Sequence, residues 1–257
     1  MDILRRELNE IYESQQLDYE NLDCGHVEDF KRKISMMAEV CDELSIITDA
    51  SSDRCYIYSG KLASLLGLTD KPTYDAVVES SDEDVIYTRM HPEDLPDKRM
   101  LEYEYFKLVD PLEGEHKISF KATCRIRIRD NEDRYLYIDN STQVLFPSPS
   151  GKIWLILCWY GLSSDQTPGE GINPAIVCTS TGEVRPFSFA KERRNILTPR
   201  EKEILLLIRD GKASKQIADR LGISIHTVNR HRQNIIEKLS VNNSVEAISA
   251  AITMKLL

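Results

Sequence analysis

The sequence predicts an α+β fold in two parts: an antiparallel sheet with flanking helices, joined to a small all-α four-helix unit at the C-terminus. Three observations predict it. Residues 117–129 alternate apolar and polar side chains without a break, and two more strand-like segments follow across turns. After Ile196 the apolar spacing changes to three and four, with explicit helix start and stop signals. The charge divides at the same place. The chain as a whole carries -9, but residues 191–257 hold 13 basic against 7 acidic residues (+6) and the rest 20 against 35 (-15).

The 257 residues, 41% apolar and 29% charged, suit one large or two modest packed domains. The longest apolar stretch, residues 153–162, is about half of the roughly 20 residues a bilayer crossing needs. The N-terminal Met-Asp-Ile-Leu-Arg-Arg has no apolar leader core, so the expectation is a soluble, cytoplasmic protein with no membrane partner. Six cysteines (24, 41, 55, 124, 158 and 178) form no CxxC pair, which predicts reduced thiols and no metal ribbon. No Gly-rich phosphate loop, G-x-S-x-G elbow or H-E-x-x-H occurs, so no enzyme is predicted; the residues name no cofactor and no metal site.

Two helical patterns occupy residues 1–43, separated near Asp23-Cys24-Gly25. In the second, Val27, Phe30, Ile34, Met37, Cys41 and Leu44 form one stripe, expected to pack on the following domain rather than on a second subunit. Short strands are predicted at 45–48 and 55–58, and helices at 62–66 and 92–109. Strand 117–129 turns at Asp130-Asn131-Glu132-Asp133 into strand 134–146, which turns at residues 147–151 into strand 153–160, an antiparallel meander. Lys117, Lys121, Arg125, Arg127 and Arg129 line its wet face and keep it soluble, docking of an acidic partner being the alternative. A small hairpin is expected at 175–187, then a charged linker at Lys191 to Arg194.

The order of two strands, helices and three long strands, with Leu65-Leu66-Gly67-Leu68 and Met90-His91-Pro92-Glu93-Asp94-Leu95, resembles a PAS domain. The resemblance implies a curved sheet in a sensory or protein-interaction module. Its apolar face, with Phe120, Cys124, Ile126 and Trp154, is expected to form either a filled core or a small ligand pocket.

Thr198-Pro199-Arg200-Glu201 is a capping box with proline at the first helical position, and Gly211 ends that helix. Ser214 is the expected cap of a second, two-turn helix ended by Gly222, and Ser224 of a third; the three-residue connection Gly222-Ile223-Ser224 is a helix-turn-helix turn. At 100° per residue, Val228, His231, Arg232, Ile235 and Leu239 fall on one side of the third helix, opposite His226, Asn229, Arg230, Gln233 and Glu237. Asn and Gln can pair with adenine and Arg with guanine, so Asn229, Arg230 and Gln233 form a row suited to base edges in a major groove. Asn243 and Glu246 open a fourth helix whose Val245, Ile248, Ile252 and Leu256 call for a partner.

Residues 197–205 (LTPREKEIL), Gln216-Ile217-Ala218, Leu221-Gly222-Ile223-Ser224, Thr227-Val228 and Lys238-Leu239 resemble the LuxR/NarL-type DNA-binding domain. That resemblance implies phosphate contacts by Lys215, Thr227, His231 and Lys238. It also implies base contacts by Asn229, Arg230 and Gln233, and dimerisation through the fourth helix at Val245, Ile248 and Ile252. Asn229 stands where lysine is commoner, so the operator is this chain's own.

The expected organisation is a helical segment at 1–43, a PAS-like sensor at 44–165, hairpin and linker at 166–195, and the helix-turn-helix at 196–257. The expected function is sequence-specific transcription regulation, with double-stranded DNA as partner and a homodimer on DNA. The alternative is a sigma-like or adaptor protein whose helix-turn-helix contacts RNA polymerase.

Overall fold

The computed structural model describes residues 3–17, 20–81, 83–187, 189, 196–239, 241–254 and 256–257. The expected charged linker Lys191 to Arg194 lies outside them, as does Lys255. The chain divides into a large unit, Glu7–Phe187, and a small one, Ser188–Leu257 with Met1–Arg6. Among the described residues, no helix is long and apolar enough to cross a membrane.

The large unit is built on eight strands: β1 (Leu44–Asp49), β2 (Arg54–Ser59), β3 (Tyr74–Val78), β4 (Phe120–Arg129), β5 (Tyr135–Pro147), β6 (Ile153–Leu162), β7 (Ala175–Cys178) and β8 (Val184–Pro186). They form one antiparallel sheet of order β3-β2-β1-β6-β5-β4-β7-β8. The predicted meander is its centre, and β1 pairs with β6 while β2 pairs with β1. The hairpin at 175–187 does not stand apart: β7 pairs with β4 and extends the sheet.

Helices α1 (Ile3–Ser14), α2 (Cys24–Val40), α3 (Lys61–Leu65), α4 (Asp84–Tyr87), α5 (Leu95–Val109) and α6 (Glu115–Ile118) precede or interrupt the strands. Asp23 caps α2, its carboxylate accepting from Gly25 N at 2.8 Å. Val27, Ile34 and Ala38 of α2 bury against Ile47, Tyr58, Trp154 and Leu155. The expected stripe drifts at its C-terminal end: Ala38 is buried, while Met37 is 58% exposed and Cys41 is exposed. The 3.6-residue period and a close approach decide this. Gly60 N donates to Ala38 O, and a Cβ at Gly60 would sit 2.7 Å from Asp42 Cα.

Ile47 pairs with Leu157 and Leu157 with Gln143, so Ile47 and Thr142 lie on opposite faces of the sheet. Helix α2 covers the Ile47 face, and α5 reaches the other, where Lys98 Nζ donates to Thr142 Oγ1 at 3.0 Å. The His-Pro-Glu-Asp-Leu string docks the start of α5 on β4. His91 N donates to Arg127 O at 2.8 Å, and the buried Asp94 carboxylate accepts from Arg127 N at 2.8 Å and from its guanidinium at 2.6 and 3.0 Å.

Lys117 does not line the wet face of the sheet: the strand begins at Phe120, and Lys117 lies in α6, fully buried. Its ammonium donates to Val109 O at 3.1 Å and Asp110 O at 2.7 Å, closing the C-terminal carbonyls of α5. The rest of the basic row is mostly neutralised from within: Arg125 pairs with Asp165, Arg127 with Asp94 and Glu93, and Arg129 with Asp133.

Candidate nucleic-acid interface

The small unit holds α7 (Pro199–Arg209), α8 (Ser214–Leu221), α9 (Ile225–Lys238) and α10 (Ser244–Thr253). The capping box of α7 is closed in both directions: Glu201 N donates to Thr198 Oγ1 at 3.2 Å, and Thr198 N donates to Glu201 Oε2 at 2.8 Å. Glu201 is 2% exposed, and the same Oε2 receives the Lys238 ammonium at 2.7 Å. Burial pushes the Glu201 carboxyl up, but Lys238 and Thr198 outweigh it and hold the group below its ordinary value.

Helix α8 buries Ile217 and Ala218 and ends at Gly222, whose φ of 64° is left-handed. Its cap differs from the expectation. Ala213 stands at the N-cap, its amide bonded to Gln216 Oε1 at 3.0 Å, and Ser214 is the first helical residue. The Ser214 hydroxyl instead accepts from Arg232 Nη1 at 2.9 Å. Ser224 caps α9 as predicted, accepting from Thr227 N at 3.0 Å.

Val228, Ile235 and Leu239 turn α9 inward, each no more than 1% exposed. Asn229, Arg230 and Gln233 are all exposed. Gln233 Nε2 donates to Glu237 Oε1 at 2.9 Å along the same face, while Arg230 is left unengaged by the described residues. Of the phosphate candidates, Lys215 is exposed in the first turn of α8 and Thr227 sits in the first turn of α9 beside the Ser224 hydroxyl at 2.8 Å. His231 is half-buried, with Nδ1 shielded and lacking a hydrogen-bond partner among the described residues. Lys238 is shared with Glu201, a contact that the sequence pattern did not reveal.

Ala247 and Ala251 of α10 face inward, and Met254 and Leu256, which follow the helix, are also buried, which removes Leu256 from the expected outer stripe. Val245 (77% exposed) and Ile252 (55%) remain outside, with Ile248 half-buried between them. The polar face of α9 and the start of α10 flank an open groove of about 790 Å³, lined by Asn229, Arg232, Gln233, Ile236 and residues 242–246.

Residues 195–251 match the family model for bacterial regulatory proteins of the luxR family. The likeness to that family is thus confined to the C-terminal helices of the chain. Among curated proteins, the chain is 52% identical over 60 residues to the uncharacterized response regulatory protein YgeK of Escherichia coli, covering 23% of this chain and 41% of YgeK. It is 51% identical over 55 residues to the transcriptional regulatory protein DesR of Bacillus subtilis, covering 21% and 28%. The chain therefore spans less than half the length of these curated relatives. Among solved structures, the phage VqmA-DPO complex aligns over 89% of this chain and 91% of that one, at 15% identity and a TM-score of 0.30.

In the large unit, the four candidate pocket residues are not gathered at one opening. Cys124 and Ile126 are buried and Phe120 is half-buried. Trp154 belongs to the cluster under α2, its Nε1 donating to Asp49 Oδ1 at 3.0 Å. A groove of about 830 Å³ opens over Thr123, Asp139, Ser141, Trp159 and parts of residues 163–173, and of the four it touches Cys124 alone. The sequence reading missed a buried polar cluster on the α5 side of the sheet. Lys98 pairs with Glu102, Tyr87 Oη donates to Glu102 Oε2 at 3.0 Å, and Glu83 accepts from Tyr160 Oη. Burial first, and then the Glu102 charge, push the Glu83 carboxyl up to about 7. No sequence motif marks this cluster, because its members come from α4 and the residue before it, α5 and β6, and meet only when the helices close on the sheet.

Proposed function

We propose that this chain is a sequence-specific DNA-binding transcription regulator in which α9 enters the major groove. The observation that carries the reading is the exposed row Asn229, Arg230 and Gln233. It stands opposite a buried Val228-Ile235-Leu239 seam, on the third helix of a LuxR-family domain. In this reading Arg230 takes guanine, Asn229 and Gln233 take adenine edges, and Lys215, Thr227 and His231 contact phosphates, with Lys238 adding charge from its pair with Glu201. Two copies meet through Val245, Ile248 and Ile252 of α10 on a two-half-site operator. The PAS-like sheet, which runs from β1 to β8, receives the signal, a small molecule or a protein, together with the helices at 1–43.

The test is selection of bound sequences from a random duplex library by the purified chain without RNA polymerase. Enrichment of one short motif supports direct reading. Absence of enrichment, with retention of RNA polymerase by the same protein, overturns it in favour of the adaptor role.

A further inference from the structure

Two serines at equivalent places in different helices converge on one guanidinium. Ser214 is the first residue of α8 and Ser244 the first of α10. Arg232 Nη1 donates to Ser214 Oγ at 2.9 Å, and Arg232 Nη2 donates to Ser244 Oγ at 3.0 Å. Arg232 itself stands on α9, one residue before Gln233 and two after Arg230. Neither serine is spent on capping, since Ala213 and Asn243 occupy the two N-cap positions.

The surroundings make this fork a polar tie from α9 to both α8 and α10. The groove between the α9 polar face and the start of α10 is open, and Arg232 lines it together with Ser244. Asn243 and Glu246 close the α10 N-terminus on itself: Asn243 Oδ1 accepts from Val245 N and Glu246 N, and Glu246 accepts from Asn242 N. A planar guanidinium spans two hydroxyls in fixed geometry, which a lysine ammonium does not reproduce.

We propose that Arg232 is a positioning residue for DNA reading: it sets the pose of α9 against α8 through Ser214 and against α10 through Ser244. The reading helix and the helix that carries Val245, Ile248 and Ile252 are thereby held in one geometry. Arg232 touches no base in this role. It aims Arg230 and Gln233, and the proposal rests on the DNA-reading function above.

The experiment uses the full chain and the motif enriched by the wild type. Arg232→Lys and Ser244→Ala are compared with wild type for affinity on that motif, affinity on random duplex, and thermal stability. The expected result is a fall of about tenfold in the specific-to-random ratio for Arg232→Lys, the size of one lost hydrogen bond to a charged group. Random-duplex affinity stays within about twofold, because the phosphate contacts keep their charge. Ser244→Ala added to Arg232→Lys brings no further loss, since both remove the same tie. A merely structural role would lower stability and both affinities together, and that outcome overturns the proposal, as does an unchanged ratio in Arg232→Lys. If the wild type enriches no motif, the DNA-reading assignment falls and the positioning role falls with it.

Discussion

Lys238, the last residue of α9, donates its ammonium at 2.7 Å to Glu201 Oε2, the oxygen that also closes the capping box of α7. One buried carboxylate thus holds the start of the first helix of the small unit and the end of its reading helix. Removing Lys238 would strand that carboxylate, so Lys238→Ala is expected to cost about 1–3 kcal/mol of stability besides any phosphate contact. The folded-state value of Glu201 is depressed, so its contribution is present above the ordinary carboxylate value of 4.5 and is lost as pH falls below it. Thermal unfolding of wild type and Glu201→Gln between about pH 7 and pH 3 checks this. The gap in melting temperature should close toward the acid end, and a constant gap would rule the linkage out.

Arg230→Ala and Gln233→Ala should each lose about 1–3 kcal/mol of discrimination at particular base pairs and little affinity for random duplex. Binding measured on the enriched motif and on its single-base variants reads this directly. Equal losses on specific and random DNA for Arg230→Ala would mean that the reading face is assigned to the wrong side of α9.

On α10, Val245 and Ile252 are exposed while Ala247 and Ala251 are fully buried, so the two faces separate experimentally. Ile252→Asp should leave the chain folded and abolish cooperative binding to two half-sites, with single half-site affinity unchanged. Ala247→Asp should unfold the small unit, because it buries an unpaired charge. Circular dichroism and half-site titrations score both. Cooperativity that survives Ile252→Asp and Val245→Asp would move the dimer contact away from α10.

The buried Glu83 carboxyl, raised to about 7, binds its proton more tightly in the folded state than in the unfolded one. The stability that Glu83 contributes to the large unit is therefore present below the ordinary carboxylate value of 4.5 and is lost as pH climbs from there to about 7. The groups facing Glu83 are Lys98 and Glu102 on α5, and Cys158 and Tyr160 on β6. Glu83→Gln keeps a partner for Tyr160 without the charge, and should raise the melting temperature at about pH 8 by removing a penalty on the order of 3 kcal/mol. The pH slope of the wild type should flatten in the variant; identical slopes would show that Glu83 does not titrate in this range.

Local chemistry made much of this protein legible before its structure. The α7 capping box, Gly222 at the end of α8, Ser224 on α9 and Asn243 on α10 lie where the residues indicate, because caps and left-handed glycines act within three or four residues of backbone. The meander and the exposed row on α9 follow likewise from periods of two and 3.6, which the chain carries in its order. What the sequence did not determine was the destination of long, charged side chains. Lys117 reads as a strand residue yet caps α5, Lys238 reads as a phosphate contact yet bridges to α7, and Arg232 joins two helix starts that lie 30 residues apart in sequence. Each settles on whichever acceptor folding leaves beside it once water is excluded, and an unmet buried charge costs more than any local preference. Only the packed helices and sheet decide which acceptor that is.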